Sequence, residues 1–220
     1  VNTRTSIVTV IVLILLALLA SVTLYDRLPD SIPIHWNIRG EADGFGAKAW
    51  AVWLMPGMMA VMAALMFGVL PALSPRKCEV ETFRSVYDLI VVLMMVLFLV
   101  IHLVSLRQGL DERFDGARLI VAAMFVFFAV LGNLMGKIRR NFWMGIRVPW
   151  TIASERVWND THRIAAWIWV ATGLLGALLA WFGHLFPSLA LLALAVIVPV
   201  VYSYVHYRHL ERRGELEQAA

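Results

Sequence analysis

The sequence predicts an all-α, polytopic membrane protein of about six transmembrane helices. Three observations carry that class. Of 220 residues, 61% are hydrophobic and 15% charged, well short of the roughly one quarter charged that a soluble domain carries. The mean hydropathy is +0.77. The charges are also clustered, leaving uncharged stretches that meet the roughly 20 apolar residues a helix needs to cross a bilayer. An ordinary cytosolic enzyme, a disordered tail and a disulfide scaffold are excluded, the last by the single cysteine, Cys78.

The elements follow in chain order. Residues 5–25 carry no formal charge and make the first span. A secretory signal is the alternative there, but the apolar stretch exceeds a typical h-region and no A-x-A site follows. Residues 49–75, 85–106 and 118–136 supply spans two, three and four. Residues 164–207 are uncharged and too long for one helix, and the turn signals at 183–188 split them into spans near 164–182 and 188–207. Pro199 is expected to kink the last span. Met55, Met59, Met62 and Met66 share one face of span two and read as packing. Gly173, Gly176, Ala177, Ala180 and Gly183 give span five a small-residue face for close helix approach, within or between subunits. Trp50 and Trp53 mark the outer start of span two, Trp167 and Trp169 the inner start of span five, and Trp181 its outer end. Asp88, His102, His184 and His206 fall near span ends, where His102 reads as an interfacial side chain. The uncharged span centres count against ion-coupled transport.

Orientation follows from the basic residues. The N-terminus, the second and fourth loops and the tail hold thirteen of the 19 Lys and Arg, including Arg76 and Lys77, and the other loops hold six. The richer set is cytoplasmic, so both termini lie inside and the first loop, residues 26–48, outside. The net charge of +4 belongs to this asymmetry and implies no nucleic-acid partner. The chain divides into a two-span unit, 1–75, and a four-span unit, 76–220.

Two loops carry information. In the first, Pro29 and Pro33 stiffen the chain. Ile32, Ile34 and Trp36 alternate with Pro33 and His35 as in a short extended piece, and Gly40 and Asp43-Gly44 are turn residues. Asp30, His35, Glu41 and Asp43 match no metal-site spacing, and no metal or cofactor is expected. The fourth loop, 132–163, holds six of the Lys and Arg. Pro149 precedes a helix with Thr151 or Ser154 as N-cap. Through Arg163, Glu155, Asn159, His162 and Arg163 share one face, Arg156 and Asp160 stand at ion-pair spacing, and Ala153, Val157 and Ile164 face away. This reads as an amphipathic helix at the membrane interface, with Trp143, Trp150 and Trp158 beside it. Glu155 and His162 are an acid–base pair, but no HExxH, nucleophile elbow or CxxC accompanies them, and no catalytic residue is assigned. A membrane enzyme requires Glu155 and His162 in hydrogen-bond reach. A transporter or lipid-handling protein requires a polar path between the two loops.

The fourth loop resembles the signature of the SdpI family. The matching residues are Gly132-Asn133, Met135 to Arg139, Asn141, Gly145-Ile146-Arg147, Pro149-Trp150-Thr151, Ser154-Glu155, Val157-Trp158 and Thr161-His162-Arg163. Val148 departs from the Thr often found before Pro149. The first loop is similar to the domain of unknown function often fused to that family, through Leu28-Pro29-Asp30, Ile32-Pro33, His35-Trp36-Asn37, Gly40 and Asp43-Gly44. The resemblance implies a bacterial inner-membrane protein that gives immunity to an antibacterial peptide and, with toxin engaged, holds an autorepressor at the membrane. It points to His35, Trp36, Asn37 and Asp43 as the outer contact with a peptide toxin. Asn133, Arg139, Asn141, Arg147, Trp150, Glu155, Asn159, His162 and Arg163 are then the inner contact with a repressor protein. The lipid bilayer is the remaining partner, and the oligomeric state is open.

Overall fold

A computed structural model describes residues 2–73, 78–141 and 143–216. Val1, Pro75, Arg76, Lys77 and Phe142 lie outside the described residues, as does the side chain of Cys78. Six helices are long and apolar enough to cross a membrane. The first is α1, Thr3–Leu24, capped by the Asn2 side chain on the Arg4 N–H. A 3-10 turn, Tyr25–Arg27, closes it before Pro29, whose ring cannot continue a helix. Strands β1, Ser31–Trp36, and β2, Ala42–Ala47, follow as an antiparallel hairpin. Next come α2, Lys48–Ala64, a π-turn, Leu65–Val69, and α3, Leu70–Leu73, which together form the second span. The short α4, Cys78–Glu81, precedes α5, Arg84–Leu110, and α6, Gly116–Met135. The short α7, Pro149–Ala153, leads into α8, Glu155–Trp181, and α9, Leu185–Arg213.

Helix α5 packs on α1 and α2, α6 on α5 and α8, and α8 on α9. The main core joins Val10, Met59, Tyr87 and Met95 to Leu134, Ile138, Trp158 and Ala165. Met55, Met62 and Met66 pack against it, so the methionine face of α2 is internal packing. The small-residue face of α8 serves close approach within the chain. A Cβ on Gly173 would meet the Ala129 backbone, and one on Gly176 the Phe125 ring.

Prolines inside spanning helices leave carbonyl oxygens without donors, and in a bilayer no water satisfies them. Three such oxygens are met by side chains of other helices. Pro56 has no N–H for Val52, whose oxygen accepts from the Ser21 hydroxyl at 2.7 Å. At the π-turn, the Leu70 N–H reaches back to Leu65 and Pro71 has no N–H. The Met66 oxygen accepts from the Tyr87 hydroxyl at 2.5 Å. Pro199 has no N–H for Ala195, whose oxygen accepts from the Trp169 indole at 2.9 Å.

Several sequence expectations are corrected. Residues 155–163 form no separate interfacial helix. They are the first turns of α8, because Val157, Trp158, Thr161 and His162 are buried in protein. Trp167 and Trp169 therefore lie well inside α8, the first 76% exposed on its outer face and the second bonded to α9. His102 is internal, at 2% exposure. Its Nε2–H points at the Ser21 hydroxyl (3.0 Å) and the Ala17 carbonyl (3.2 Å). Asp88 is fully buried, accepting from Thr3 Oγ1 at 2.6 Å and Arg84 Nε at 2.9 Å.

Candidate functional site

The two loops stand at opposite ends of the bundle. At one end the hairpin rests on α5: Ser105 Oγ donates to the Pro33 carbonyl at 2.5 Å and the Trp36 indole to Gln108 Oε1 at 2.7 Å. Leu28, Ile32, Ala51, Val52 and Leu106 form a second small core beneath it. The strand register is irregular around His35, and Ile32 and Pro33 are both buried, so the expected alternation is broken.

The sequence-selected residues of this end divide by use. Asn37 builds the turn. Its Oδ1 accepts from the Arg39 and Glu41 amides and its Nδ2 donates to Glu41 Oε2 at 2.8 Å, while Gly40 takes φ +86°. These contacts, the Asn37 bond first and the Arg39 guanidinium next, hold the Glu41 carboxyl below its ordinary pKa. Trp36 is committed to α5. His35 Nδ1 and Asp43 Oδ1 meet at 2.5 Å across the hairpin, both substantially exposed.

At the other end, loop four is folded around its own polar side chains. Asn141 is buried. Its Oδ1 accepts from the Trp143 and Met144 amides, each at 2.7 Å, and its Nδ2 donates to the Arg139 and Met144 carbonyls. The Thr151 hydroxyl donates toward the Ile146 and Val148 carbonyls and accepts from the Val148 amide. Ser154 is the α8 N-cap, accepting from the Val157 N–H. Trp150 donates to Ser203 Oγ at 2.5 Å and sets its ring edge-on to Tyr204, pinning α7 to α9.

His162 is 1% exposed. Its Nδ1–H donates to the Trp158 carbonyl at 2.8 Å and its Nε2 accepts from the Ile146 amide at 3.1 Å. Both nitrogens are thus used by main-chain groups, which fixes the neutral tautomer. The ring stacks on Trp158, whose indole donates to the Ile138 carbonyl at 2.8 Å. Gly145, at φ +106°, lies against both rings, where a Cβ would collide. His162 therefore leaves the expected polar face and becomes a structural post. Asn133, Arg139, Arg147, Glu155, Asn159 and Arg163 are the exposed members of the set.

Sequence spacing missed two pairs. Asp160 Oδ2 meets His206 Nε2 at 2.9 Å, with His206 stacked on Tyr202, and Arg156 pairs with Glu215 at 3.1 Å. Their partners lie 46 and 59 residues away, beyond any local period. Among the described residues no group of three or more His, Cys, Asp or Glu is placed to hold a metal ion.

Known proteins match over the same regions. Residues 12–60 match the domain of unknown function DUF1648 and residues 137–203 the SdpI/YfhL protein family. The chain is similar to the "Immunity protein SdpI" of Bacillus subtilis (strain 168), 29% identical over 203 residues, which cover 91% of this chain and 95% of that protein. No solved structure matches. With six membrane-capable helices, the chain is a multi-pass membrane protein that carries a region matching DUF1648 near its N-terminus and a region matching the SdpI/YfhL family toward its C-terminus.

Proposed function

We propose that this chain is an immunity protein of the bacterial cytoplasmic membrane, protecting its cell from a membrane-active antibacterial peptide. The observation that carries the reading is the likeness to Immunity protein SdpI across nearly the whole of both chains. In this reading the hairpin end faces outside and the basic end the cytoplasm, an orientation that the distribution of Lys and Arg supports. The exposed set Arg139, Arg147, Glu155, Asn159 and Arg163 is the surface that holds a repressor at the membrane once toxin is engaged. The two jobs are coupled through α5, which touches the hairpin at Ser105 and Gln108 and the basic end at Arg84 and Asp88. Coupling needs two bundle states with different affinity for each partner.

The test is growth inhibition by a panel of envelope-active antibacterial peptides, in cells with and without the chain. Expression is expected to raise the inhibitory concentration of at least one. Identical values throughout would overturn the reading. The repressor half is tested by protein recovery from membranes carrying the wild type, Glu155→Ala or Arg163→Ala. Unchanged recovery of the bound partner would remove those residues from the docking surface.

A further inference from the structure

At the hairpin end a cleft of about 480 Å³ separates β1, the turn and β2 from the last turn of α5 and the connection to α6. Sites that take small ligands or peptide side chains run from roughly 300 to 1,000 Å³. Pro29, Pro33, Phe45 and Phe114 give this cleft an apolar surface. Phe45 stands opposite Pro33 in the hairpin register yet is 57% exposed, an aromatic ring that the chain itself leaves uncovered.

The rim is charged. Arg39 and Glu41 neutralise each other at 3.1 Å. Asp115 caps α6 on the Arg118 N–H. Glu112, exposed on the rim, has no hydrogen-bond or ion-pair partner among the described residues. With the Arg39–Glu41 pair set aside, two rim carboxylates face one guanidinium, that of Arg113. The sign agrees with the whole end of the molecule. Residues 26–48 and 107–118 hold seven Asp and Glu against six Lys and Arg, in a chain whose net charge is +4. With one acid in excess, the hairpin end is the less basic end of a basic protein.

We propose that this cleft binds a cationic amphipathic peptide, with an apolar side chain seated against Phe45 and Phe114 and a lysine or arginine directed at Glu112. The proposal rests on the immunity reading, since membrane-active peptides combine a basic face with Trp, Phe and Leu. Its residues differ from the motif residues His35, Trp36 and Asn37. The polar atoms of Trp36 and Asn37 are used within the chain, and His35 is paired with Asp43. Charge complementarity would draw such a peptide to this end and away from the arginine-rich one.

The experiment is binding of a labelled synthetic Leu/Trp/Lys amphipathic peptide to the full chain in nanodiscs of phosphatidylcholine, a lipid without net charge. Saturable binding above empty discs is expected. Glu112→Gln and Phe45→Ala, both at exposed positions, are each expected to weaken it about tenfold, while His35→Ala changes it less than about twofold. Melting curves equal to wild type show that the variants are folded. No saturable binding above empty discs, or equal affinity for wild type, Glu112→Gln and Phe45→Ala, would overturn the proposal. Cells protected by a chain whose peptide binding ignores both substitutions would remove the cleft and leave immunity standing. Substitution-sensitive binding by a chain that protects no cell would do the reverse.

Discussion

The Trp169 indole donates to the Ala195 carbonyl, the oxygen that Pro199 in the next turn of α9 leaves without a main-chain donor. Trp169→Phe keeps the ring and removes the donor. It is expected to cost about 1–3 kcal/mol, the penalty for a buried unsatisfied acceptor. Pro199→Ala restores an N–H to α9, so the same change in that background is expected to cost less. A double-mutant cycle in detergent, read by reversible denaturation, measures the difference. Equal costs in both backgrounds would show that the indole is there for packing alone.

Gly145 makes a second prediction. Its φ of +106° and its approach to His162 and Trp158 both exclude a side chain. Gly145→Ala is expected to lose about 1–3 kcal/mol from backbone strain and to displace His162 from its two main-chain bonds. Gly136→Ala is the control, at φ −67° with nothing within 4 Å of an added Cβ. Melting temperatures that fall equally for the two variants would contradict this role for the His162 post.

The α6–α8 contact is tested by Gly173→Ala. Its Cβ would stand 2.6 Å from the Ala129 nitrogen, and overpacking of this kind costs about 1–3 kcal/mol. At Gly57 an added Cβ meets nothing within 4 Å, so Gly57→Ala should be neutral. If Gly173→Ala leaves stability unchanged but alters the oligomeric state, the small-residue face works between subunits instead.

Arg84→Met strips the guanidinium from Asp88, a carboxylate that remains fully buried with only Thr3 on its other oxygen. Breaking a buried pair by removing one partner costs about 3–5 kcal/mol. Asp88→Asn in the Arg84→Met background should recover part of the loss, because no buried charge is then stranded. The yield of folded protein in the membrane fraction is the readout, and a double variant no better than the single would contradict the pairing.

Glu41 sets a pH dependence in the hairpin turn. Its folded-state pKa is lowered, mainly by Asn37 and then Arg39. The stability it lends is present above the unfolded carboxylate value, about 4.3, and is lost as pH falls through the folded value. The melting-temperature gap between wild type and Glu41→Gln should therefore close on acidification. A gap that widens toward low pH would reverse the sign.

Apolar length is a local property, and the six spans were legible from it to within a few residues at most ends. The start of α8 was not. Residues 155–163 carry charge at helical spacing, and charge on a helix beside a membrane reads as an interfacial helix. Burial of Trp158 and His162 by loop four decides otherwise, and that depends on Gly145 and Asn141 folding back from a distance. Polar residues inside the bundle were legible as residues but not as pairs. Ser21 and His102 stand 81 positions apart and Thr3 and Asp88 stand 85 apart, so no window along the chain contains both. Proline positions were plain, whereas the donors that answer them lie on other helices. Of the candidate contact residues, Asn37, Asn141 and His162 proved to be loop builders, and the cleft residues Phe45 and Glu112 belong to no motif.

Survival of sensitive bacteria with this chain expressed in their membrane, exposed in turn to each of a panel of envelope-active antibacterial peptides, tests the immunity role most directly. Restored survival is expected from the wild-type chain, and reduced survival from Glu112→Gln at the same membrane level. Survival no better than the empty vector against every peptide of the panel, with the chain folded in the membrane, would contradict it.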